Sequence, residues 1–203
     1  MLRAVNLTKK YDGQLIFKNT NFEANNGDFI GIVGKTGCGK STILNILSGY
    51  ETADNGNVLV NDKDYNAYSL KEINEFRSQR VAFLFQEYNL FGDLTVYENL
   101  KLSVKLHKNL FKKIDEYLNK LNLTELKNKK ISKLSGGEKQ RIAFLRAIIK
   151  DFDILICDEP TGNLDDKNSK LVLDLIKKEC KDKIVIMVTH KKSVSNEYFN
   201  KKI

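Results

Sequence analysis

The sequence predicts an α/β fold in which a parallel sheet is flanked by helices and interrupted by a helical lobe. Strands buried on both faces of a parallel sheet are almost wholly apolar, and four short segments have this composition: 28–34, 81–85, 153–157 and 183–188. Segments with helical periodicity separate them, an order that is typical of crossover connections. Residues 87–150 have a helical pattern and contain no convincing strand.

The other elements follow from local patterns along the chain. Apolar and polar residues alternate over 2–7 and 14–24, and Asp12-Gly13 between them is a turn signal. This pattern predicts a pair of antiparallel strands near the N-terminus. A further strand is predicted at 56–60, and helices are predicted after the first buried strand and at 70–80, 167–180 and 191–199.

Composition and charge limit the classes of protein that the chain can belong to. With 203 residues, 41% of them hydrophobic and 30% charged, the chain can bury a core as one domain spanning 1–203. The net charge of +8, part of it in the run 127–133, fits a solvated lysine-rich face, an anionic membrane surface or nucleic acid, and charge alone does not decide among them.

Cys38, Cys157 and Cys180 have no metal-ligand spacing. The N-terminus lacks the apolar run of a signal peptide and no apolar run is long enough to span a bilayer, so we expect a cytosolic protein.

A glycine-rich motif follows the first buried strand and leads into a helix. It has the form G-x-x-x-x-G-K-[ST] and consists of Gly34, Lys35, Thr36, Gly37, Cys38, Gly39, Lys40 and Ser41. Glycines let the backbone wrap around an anion with its N–H groups turned inward. Lys40 is then expected to reach the β- and γ-phosphates of a nucleotide and the Ser41 hydroxyl to bind Mg²⁺, with Thr42 as a further nucleotide contact. We also expect alkylation of Cys38 to block nucleotide binding.

Polar residues follow three of the other buried strands. Asp158 and Glu159 come after 153–157, and phosphoryl transfer needs a carboxylate that helps to hold Mg²⁺ and a group that positions or deprotonates water. We assign the metal to Asp158 and the water to Glu159. His190 follows 183–188, where ligands bind in open parallel sheets, and is expected to contact the γ-phosphate. Gln86 ends its strand and either reaches Mg²⁺ or the water, or is an ordinary loop residue.

A second glycine-rich segment, LSGGEKQR at 134–141, also opens a helix, which is how proteins form a site for a phosphate. It has no lysine or magnesium-binding hydroxyl in the pattern of the first loop, so it is not expected to hold a nucleotide alone. We expect it to contact the ATP of another copy, in a head-to-tail dimer that holds each nucleotide between one chain's 34–41 and its partner's 135–138.

These motifs, in this order, resemble the nucleotide-binding subunit of ABC (ATP-binding cassette) transporters. LSGGEKQR matches the signature of that family, and the resemblance covers nearly the whole chain. It implies the ABC ATPase fold, which has a RecA-like P-loop NTPase core with an N-terminal antiparallel β subdomain (1–86 and 151–203) and an inserted helical subdomain (87–150). The implied cofactors are ATP and Mg²⁺, and the implied activity is ATP hydrolysis coupled to transport.

The resemblance also implies roles for individual residues. Tyr11 would stack on adenine, and Gln86 would sense the γ-phosphate and couple it to a membrane partner. Glu159 would be the catalytic base, with His190 bracing the phosphate. The contacts to the partner's nucleotide would come from Ser135, Gly136, Gly137 and Glu138, and Asp165 would link the two sites across the dimer.

Within the family, EPTGNLDD (159–166) and FQEYNLFGDLTVYENL (85–100) resemble the lipoprotein-releasing, macrolide-exporting and bacteriocin-exporting branch. We therefore expect an ATP-dependent homodimer, or a pair with a similar cassette, on the inner face of the cell membrane. It would drive a separate permease that exports a peptide, lipoprotein or antimicrobial. Three alternatives stay open: a cassette that transmits force or a signal at the membrane, a small-solute importer, and a DNA-repair cassette. The last is disfavoured because the chain lacks the long coiled-coil or zinc-bearing insertion that such cassettes carry, and no specific nucleic acid is expected.

Overall fold

The structure, a computed structural model, describes residues 1–35, 37–104, 111–190 and 197–202. It contains two sheets. Strands β1 (Leu2–Tyr11), β2 (Gln14–Ala24), β4 (Asn55–Val60) and β5 (Lys63–Asp64) form an antiparallel sheet in the order β2-β1-β4-β5. Strands β3 (Phe29–Ile32), β6 (Val81–Leu84), β7 (Ile154–Asp158), β8 (Ile184–Val188) and β9 (Lys201–Lys202) form a parallel sheet in the order β6-β7-β8-β3-β9.

The parallel sheet is covered on both faces, which explains why its central strands are continuously apolar. All five residues of β7 and all five of β8 are buried. Alternate side chains enter two separate cores: Ile154 and Ile156 pack with the antiparallel sheet and the first helix, whereas Leu155 and Cys157 pack with the helices on the other face. This alternation is the period of two that a strand imposes.

Among the described residues, six α-helices are α1 (Lys40–Leu47), α2 (Leu70–Gln79), α3 (Val96–Val104), α4 (Phe111–Lys120), α5 (Gly136–Ile148) and α6 (Asp166–Glu179), and Tyr65–Ala67, Thr124–Leu126 and Ile131–Lys133 form short 3-10 helices. Local chemistry determines where several of them begin. Ser69 with Glu72, and Ser135 with Glu138, form reciprocal capping boxes at the starts of α2 and α5. Asp165 caps α6 through the amide of Asn168.

The predicted α/β class with an antiparallel N-terminal part is confirmed, and two short strands were missed. β5 and β9 have only two residues each, too few to produce an alternating pattern. The predicted helix at 191–199 falls mostly on residues 191–196, which lie outside the described residues. β9, which no prediction included, pairs with the outer edge of β3, and the ring of Phe199 lies against Gly31.

Residues 87–150 carry α3, α4 and α5, and none of the named strands lies in this range. The division of the chain at 87 and 150 stays a prediction. None of the helices in the described part of the chain has both the length and the hydropathy that crossing a bilayer requires.

Candidate functional site

The parallel sheet brings four chain segments to one edge. Ile32 of β3 and Asp158 of β7 both pair with Val188 of β8, and Leu84 of β6 pairs with Cys157 of β7. The strands are parallel, so the residues that follow them emerge side by side. The glycine-rich loop after β3, Gln86, the pair Asp158–Glu159 and His190 therefore meet at the same end of the sheet.

A cavity of about 400 Å³ lies at this edge. It is lined by residues of the glycine-rich loop and the start of α1, of the β1–β2 hairpin, and of the ends of β6, β7 and β8: Tyr11, Ile16, Gly37, Gly39, Lys40, Ser41, Thr42, Gln86, Asp158, Glu159, Val188 and His190. Most of the residues predicted to act on the chain's own nucleotide are in this set.

The glycine-rich loop is held by its own lysine. Lys40 is buried, and its Nζ donates hydrogen bonds to the main-chain oxygens of Gly34 at 2.9 Å and Lys35 at 2.8 Å. Gly39 adopts a φ of +90° at the N-cap of α1, and a Cβ there would lie 2.3 Å from the side chain of Ile16. Glycine is therefore required at 39 both for the left-handed backbone and for the close approach of β2.

The start of α1 is suited to an anion. Within the described residues, no side chain caps this helix, and its first turn carries no acidic residue. Its N-terminal amides and the adjacent Lys40 ammonium therefore present positive charge to the cavity. The Ser41 hydroxyl, the Gln86 amide and the Asp158 carboxylate line the same cavity and supply oxygen ligands of the kind that Mg²⁺ prefers. The residues present thus fit a magnesium–nucleotide complex.

Glu159 and His190 form a pair in this cavity. The His190 Nε2 lies 3.4 Å from Glu159 Oε1, and the His190 main-chain amide donates to Glu159 Oε2 at 3.4 Å. Only 16% of the Glu159 side chain is exposed, against 53% of that of His190. Burial raises the pKa of the Glu159 carboxyl above its ordinary value, and the two contacts from His190 oppose this shift. A carboxyl with a raised pKa is a better proton acceptor, as a general base must be.

Tyr11 lies at the end of β1, lines the cavity and has 43% of its surface exposed. Its hydroxyl donates to Glu51 Oε1 at 2.5 Å, a hydrogen bond that raises the pKa of Tyr11. Glu51 in turn pairs with Lys9 at 3.0 Å, and Lys9 Nζ also donates to the main-chain oxygen of Thr52. The tyrosine is thus held at its polar end, and Lys9 Nζ lies over its ring, 5.2 Å from the ring centre.

Three predicted contacts in the glycine-rich loop, Gly34, Lys35 and Cys38, do not line the cavity. A fourth, Thr36, lies outside the described residues. Lys35 and Cys38 do not line the cavity: Lys35 contributes its main-chain oxygen to Lys40, and Cys38 is an exposed thiol whose Sγ packs against Gly34. Gly34 likewise supports Lys40 from outside the cavity.

The second glycine-rich segment lies apart from the cavity, because none of Ser135, Gly136, Gly137 and Glu138 lines it. Ser135 and Gly136 are exposed. The Glu138 carboxylate accepts hydrogen bonds from the amide of Ser135 at 2.7 Å and from its hydroxyl at 2.8 Å, and these bonds lower the pKa of Glu138. Asp165 is also outside the cavity and is held by the backbone and side chain of Asn168, which lower its pKa.

Sequence reasoning missed three residues that touch the site. Ile16 lines the cavity under Gly39, and Glu51 holds Tyr11. Gln140 is 1% exposed and donates from Nε2 to the main-chain oxygen of Glu159 at 3.4 Å. A signal for Gln140 was present, since it precedes Phe144 and Ile148 at intervals of four on the buried face of α5, where a polar side chain is unusual.

Comparison with known proteins identifies the family of the chain. Residues 17–162 match the family model of the ABC transporter. The chain is 37% identical over 184 residues to the lipoprotein-releasing system ATP-binding protein LolD of Buchnera aphidicola, covering 87% of this chain and 81% of that protein. It is 35% identical to the bacitracin export ATP-binding protein BceA of Halalkalibacterium halodurans, over 94% of this chain and 79% of that protein. Import cassettes match as well, among them the phosphonates import protein PhnC of Fusobacterium nucleatum at 32% identity, over 99% of this chain and 87% of that one.

A solved structure shares the fold. The dimeric ATP-binding cassette MJ0796, in a post-hydrolysis state with ADP and phosphate bound, superposes with a TM-score of 0.88 at 32% identity, over 96% of this chain and 90% of that one. The ABC ATPase fold is thereby confirmed, and the cassettes of this family form dimers and pair with membrane permeases. The chain therefore belongs to the ABC transporter family and is an ATP-binding, ATP-hydrolysing subunit of such a system, with ATP and Mg²⁺ as its cofactors.

Proposed function

We propose that two copies of the chain bind two nucleotides between them and that the resulting cycle of ATP binding and hydrolysis drives a membrane exporter. One observation supports a nucleotide site that is formed by two chains. The cavity gathers the loop lysine, the metal-type oxygen ligands and Glu159, yet the second glycine-rich segment lies outside it and is exposed. A glycine-rich helix start that lies outside the chain's own cavity, with Ser135 and Gly136 exposed, is explained if it serves the nucleotide of a second copy.

Each predicted residue has a role in this proposal. Lys40 binds the β- and γ-phosphates, together with the amides of the loop and of Ser41 and Thr42. Glu159 accepts the proton of the attacking water, and His190 braces the γ-phosphate beside it. Tyr11 stacks on the adenine. From the opposite chain, Ser135, Gly136 and Gly137 contact the γ-phosphate, Glu138 is a further contact to that ATP, and Asp165 links the two sites.

Ser41, Gln86 and Asp158 are the residues that would hold the metal. Bound there, Mg²⁺ neutralises charge that develops on the phosphates during transfer. Gln86 lies at the carboxyl end of β6, directly before the segment 87–100, so its position connects the phosphates to the region where we propose that the permease docks. The chain would then work at the inner face of the cell membrane, held there by its partner.

Export of a peptide, lipoprotein or antimicrobial is favoured by the relatives that resemble the chain and by the segments that carry the likeness. Lipoprotein release, macrolide export and bacitracin export are the functions in the names of three of them, and EPTGNLDD at 159–166 is the motif that suggested this branch. Importers for phosphonates and for spermidine and putrescine are similar at 32% and 36% identity, so the direction of transport is the part of the proposal that most needs a test.

Mixing two inactive variants tests the two-chain site. Lys40→Ala removes the charge at the phosphates, and Ser135→Arg places a bulky side chain at the second glycine-rich segment. Each variant alone should be inactive. When they are mixed, the intact loop of one chain meets the intact Ser135 segment of the other, and ATPase activity should return to a fraction of the parent rate. A mixture as inactive as its components would contradict the shared site.

The direction of transport can be read in vesicles. The chain would be purified with its membrane permease and reconstituted with the ATPase facing the medium, and fluorescent bacitracin would be the probe. An exporter accumulates the probe in the lumen when ATP is added, whereas the matched Glu159→Gln complex does not. ATP-dependent release of a preloaded probe from the lumen would instead indicate import.

A further inference from the structure

Gln140 connects the second glycine-rich segment, at the start of α5, to Glu159 of the same chain. It lies four residues after Gly136, the first residue of α5, which corresponds to about 6 Å along a helix. It is almost fully buried, and a buried amide needs hydrogen-bond partners. The partner of its Nε2 is the main-chain oxygen of Glu159, at 3.4 Å, while within the described part of the chain its Oε1 has no hydrogen-bond partner.

The main chain of Glu159 has a conformation that depends on hydrogen bonds from its surroundings. Its φ is +51°, in the left-handed region that residues other than glycine seldom occupy. A residue in this region keeps its conformation only when its surroundings determine it. Three hydrogen bonds do so: Glu159 N donates to Val188 O at 3.1 Å, Gly162 N donates to Glu159 O at 3.2 Å, and Gln140 Nε2 donates to the same oxygen.

These three bonds come from different parts of the chain. Val188 belongs to β8 and Gly162 to the turn that contains Glu159 itself, whereas Gln140 belongs to α5. Gln140 thus supplies a direct hydrogen bond from α5 to the main chain of Glu159. α5 also packs on the turn that follows, because a Cβ on Gly137 would lie 3.4 Å from both the oxygen of Asn163 and the side chain of Leu164.

We propose that Gln140 is a positioning residue for Glu159. The side-chain amide of Gln140 holds the main chain of Glu159, and it thereby ties the direction of the Glu159 carboxylate to the position of α5. The inference rests on the proposed function, in which Glu159 is the base and the start of α5 contacts the nucleotide of the opposite chain. A shift of α5 on closure of the dimer then reaches Glu159 of the same chain through one side chain. Each half of the dimer thereby adjusts its own base when it contacts its partner's nucleotide.

The test is Gln140→Met, which keeps an unbranched side chain of similar length and removes the amide, with Gln79→Met at the exposed end of α2 as the matched control. Misplacing a catalytic group by a fraction of an ångström to an ångström lowers rates by about 10- to 100-fold. We expect Gln140→Met to lower kcat by this factor, to leave the KM for ATP within about twofold, and to accumulate an ATP-bound dimer on size exclusion. The control should behave as the parent does.

A double variant separates positioning from a general structural defect. If Gln140 acts through Glu159, then Gln140→Met should not lower the residual rate of Glu159→Gln further. An independent additional loss, a rise in KM with kcat unchanged, or failure to form the dimer would overturn the inference, as would a parent-like kcat. Unfolding of both Gln140→Met and Gln140→Asn, seen by circular dichroism, would overturn it in favour of a purely structural contact. If Glu159→Gln itself turns over at the parent rate, the assignment of the base fails and not merely the role of Gln140.

Discussion

The Nε2 of His190 lies 3.4 Å from one carboxylate oxygen of Glu159, while the main-chain amide of His190 contacts the other oxygen. Both contacts favour the ionised carboxylate, and burial of Glu159 opposes them and is the larger effect. The result is a carboxyl group with a raised pKa beside Asp158 and Lys40, in a cavity formed by the ends of parallel strands.

Replacing Glu159, the proposed base, should separate ATP binding from ATP turnover. Glu159→Gln keeps the size of the side chain and removes the proton acceptor, so we expect kcat to fall by about 10²- to 10⁴-fold with ATP binding retained. The ATP-bound dimer should then persist and elute early from size exclusion in the presence of Mg-ATP. Addition of EDTA provides the control, since the dimer should dissociate without the metal. Turnover at the parent rate would remove Glu159 from its assigned role.

The raised pKa of Glu159 also predicts how stability depends on pH. The native state binds the proton more tightly than the unfolded chain, whose carboxyl has the ordinary value of 4.5. The favourable contribution of this group is therefore complete below pH 4.5 and is lost as the pH rises through the native pKa. In urea unfolding, the free energy of unfolding of Glu159→Gln should exceed that of the parent by an amount that grows from acid to neutral pH. A difference that is largest in acid would contradict the assigned direction.

Alkylation of Cys38 should block nucleotide binding. Its Sγ packs against Gly34, whose oxygen accepts a hydrogen bond from Lys40, so an added maleimide displaces the loop that holds the lysine. Cys157 and Cys180 are buried and are protected from the reagent. We expect N-ethylmaleimide to abolish binding of a fluorescent ATP analogue to the parent and to spare Cys38→Ser. Normal ATP binding by protein labelled at Cys38 would disprove the prediction.

Tyr11 should contribute to binding of the base rather than of the phosphates. Loss of one aromatic stacking contact costs about 1–3 kcal/mol, so Tyr11→Ala should weaken ATP binding by roughly 5- to 150-fold. Inorganic tripolyphosphate, which has no base, should bind both proteins equally. Tyr11→Phe keeps the ring and loses the hydrogen bond to Glu51, and its affinity for ATP should lie closer to that of the parent. Equal losses for ATP and tripolyphosphate would show that Tyr11 supports the loop instead.

The fold was predictable where the sequence carries a repeated physical signal. The strands β7 and β8 are continuously apolar because both faces of their sheet are covered. The strands β1 and β2 alternate over parts of their length because one face of the antiparallel sheet packs on the core and the other faces solvent. β5 and β9 carry no such signal, since two residues cannot establish a period. β9 exists through long-range contacts: Asn200 exchanges hydrogen bonds with Phe29, and Lys201 pairs with Asp28.

The candidate site divides in a similar way. Lys40, Asp158 and Glu159 lie in short motifs whose spacing follows from phosphate and metal chemistry, and the ends of parallel strands bring them to one cavity. Glu51 and Gln140 were missed because their partners, Tyr11 and Glu159, are 40 and 19 residues away in sequence. Such pairs depend on tertiary placement, and a local pattern does not contain it.

The strand that leads into the glycine-rich loop is four residues long and is bonded along both of its edges, to β8 on one side and to β9 on the other. Without residues 197–202, this strand would become the margin of the sheet, and Gly31 would lose the phenyl ring that covers it. The pairing of β9 with β3 thus supports the strand that leads into the glycine-rich loop. Deletion of residues 197–202 would therefore weaken nucleotide binding, although none of these residues lines the cavity.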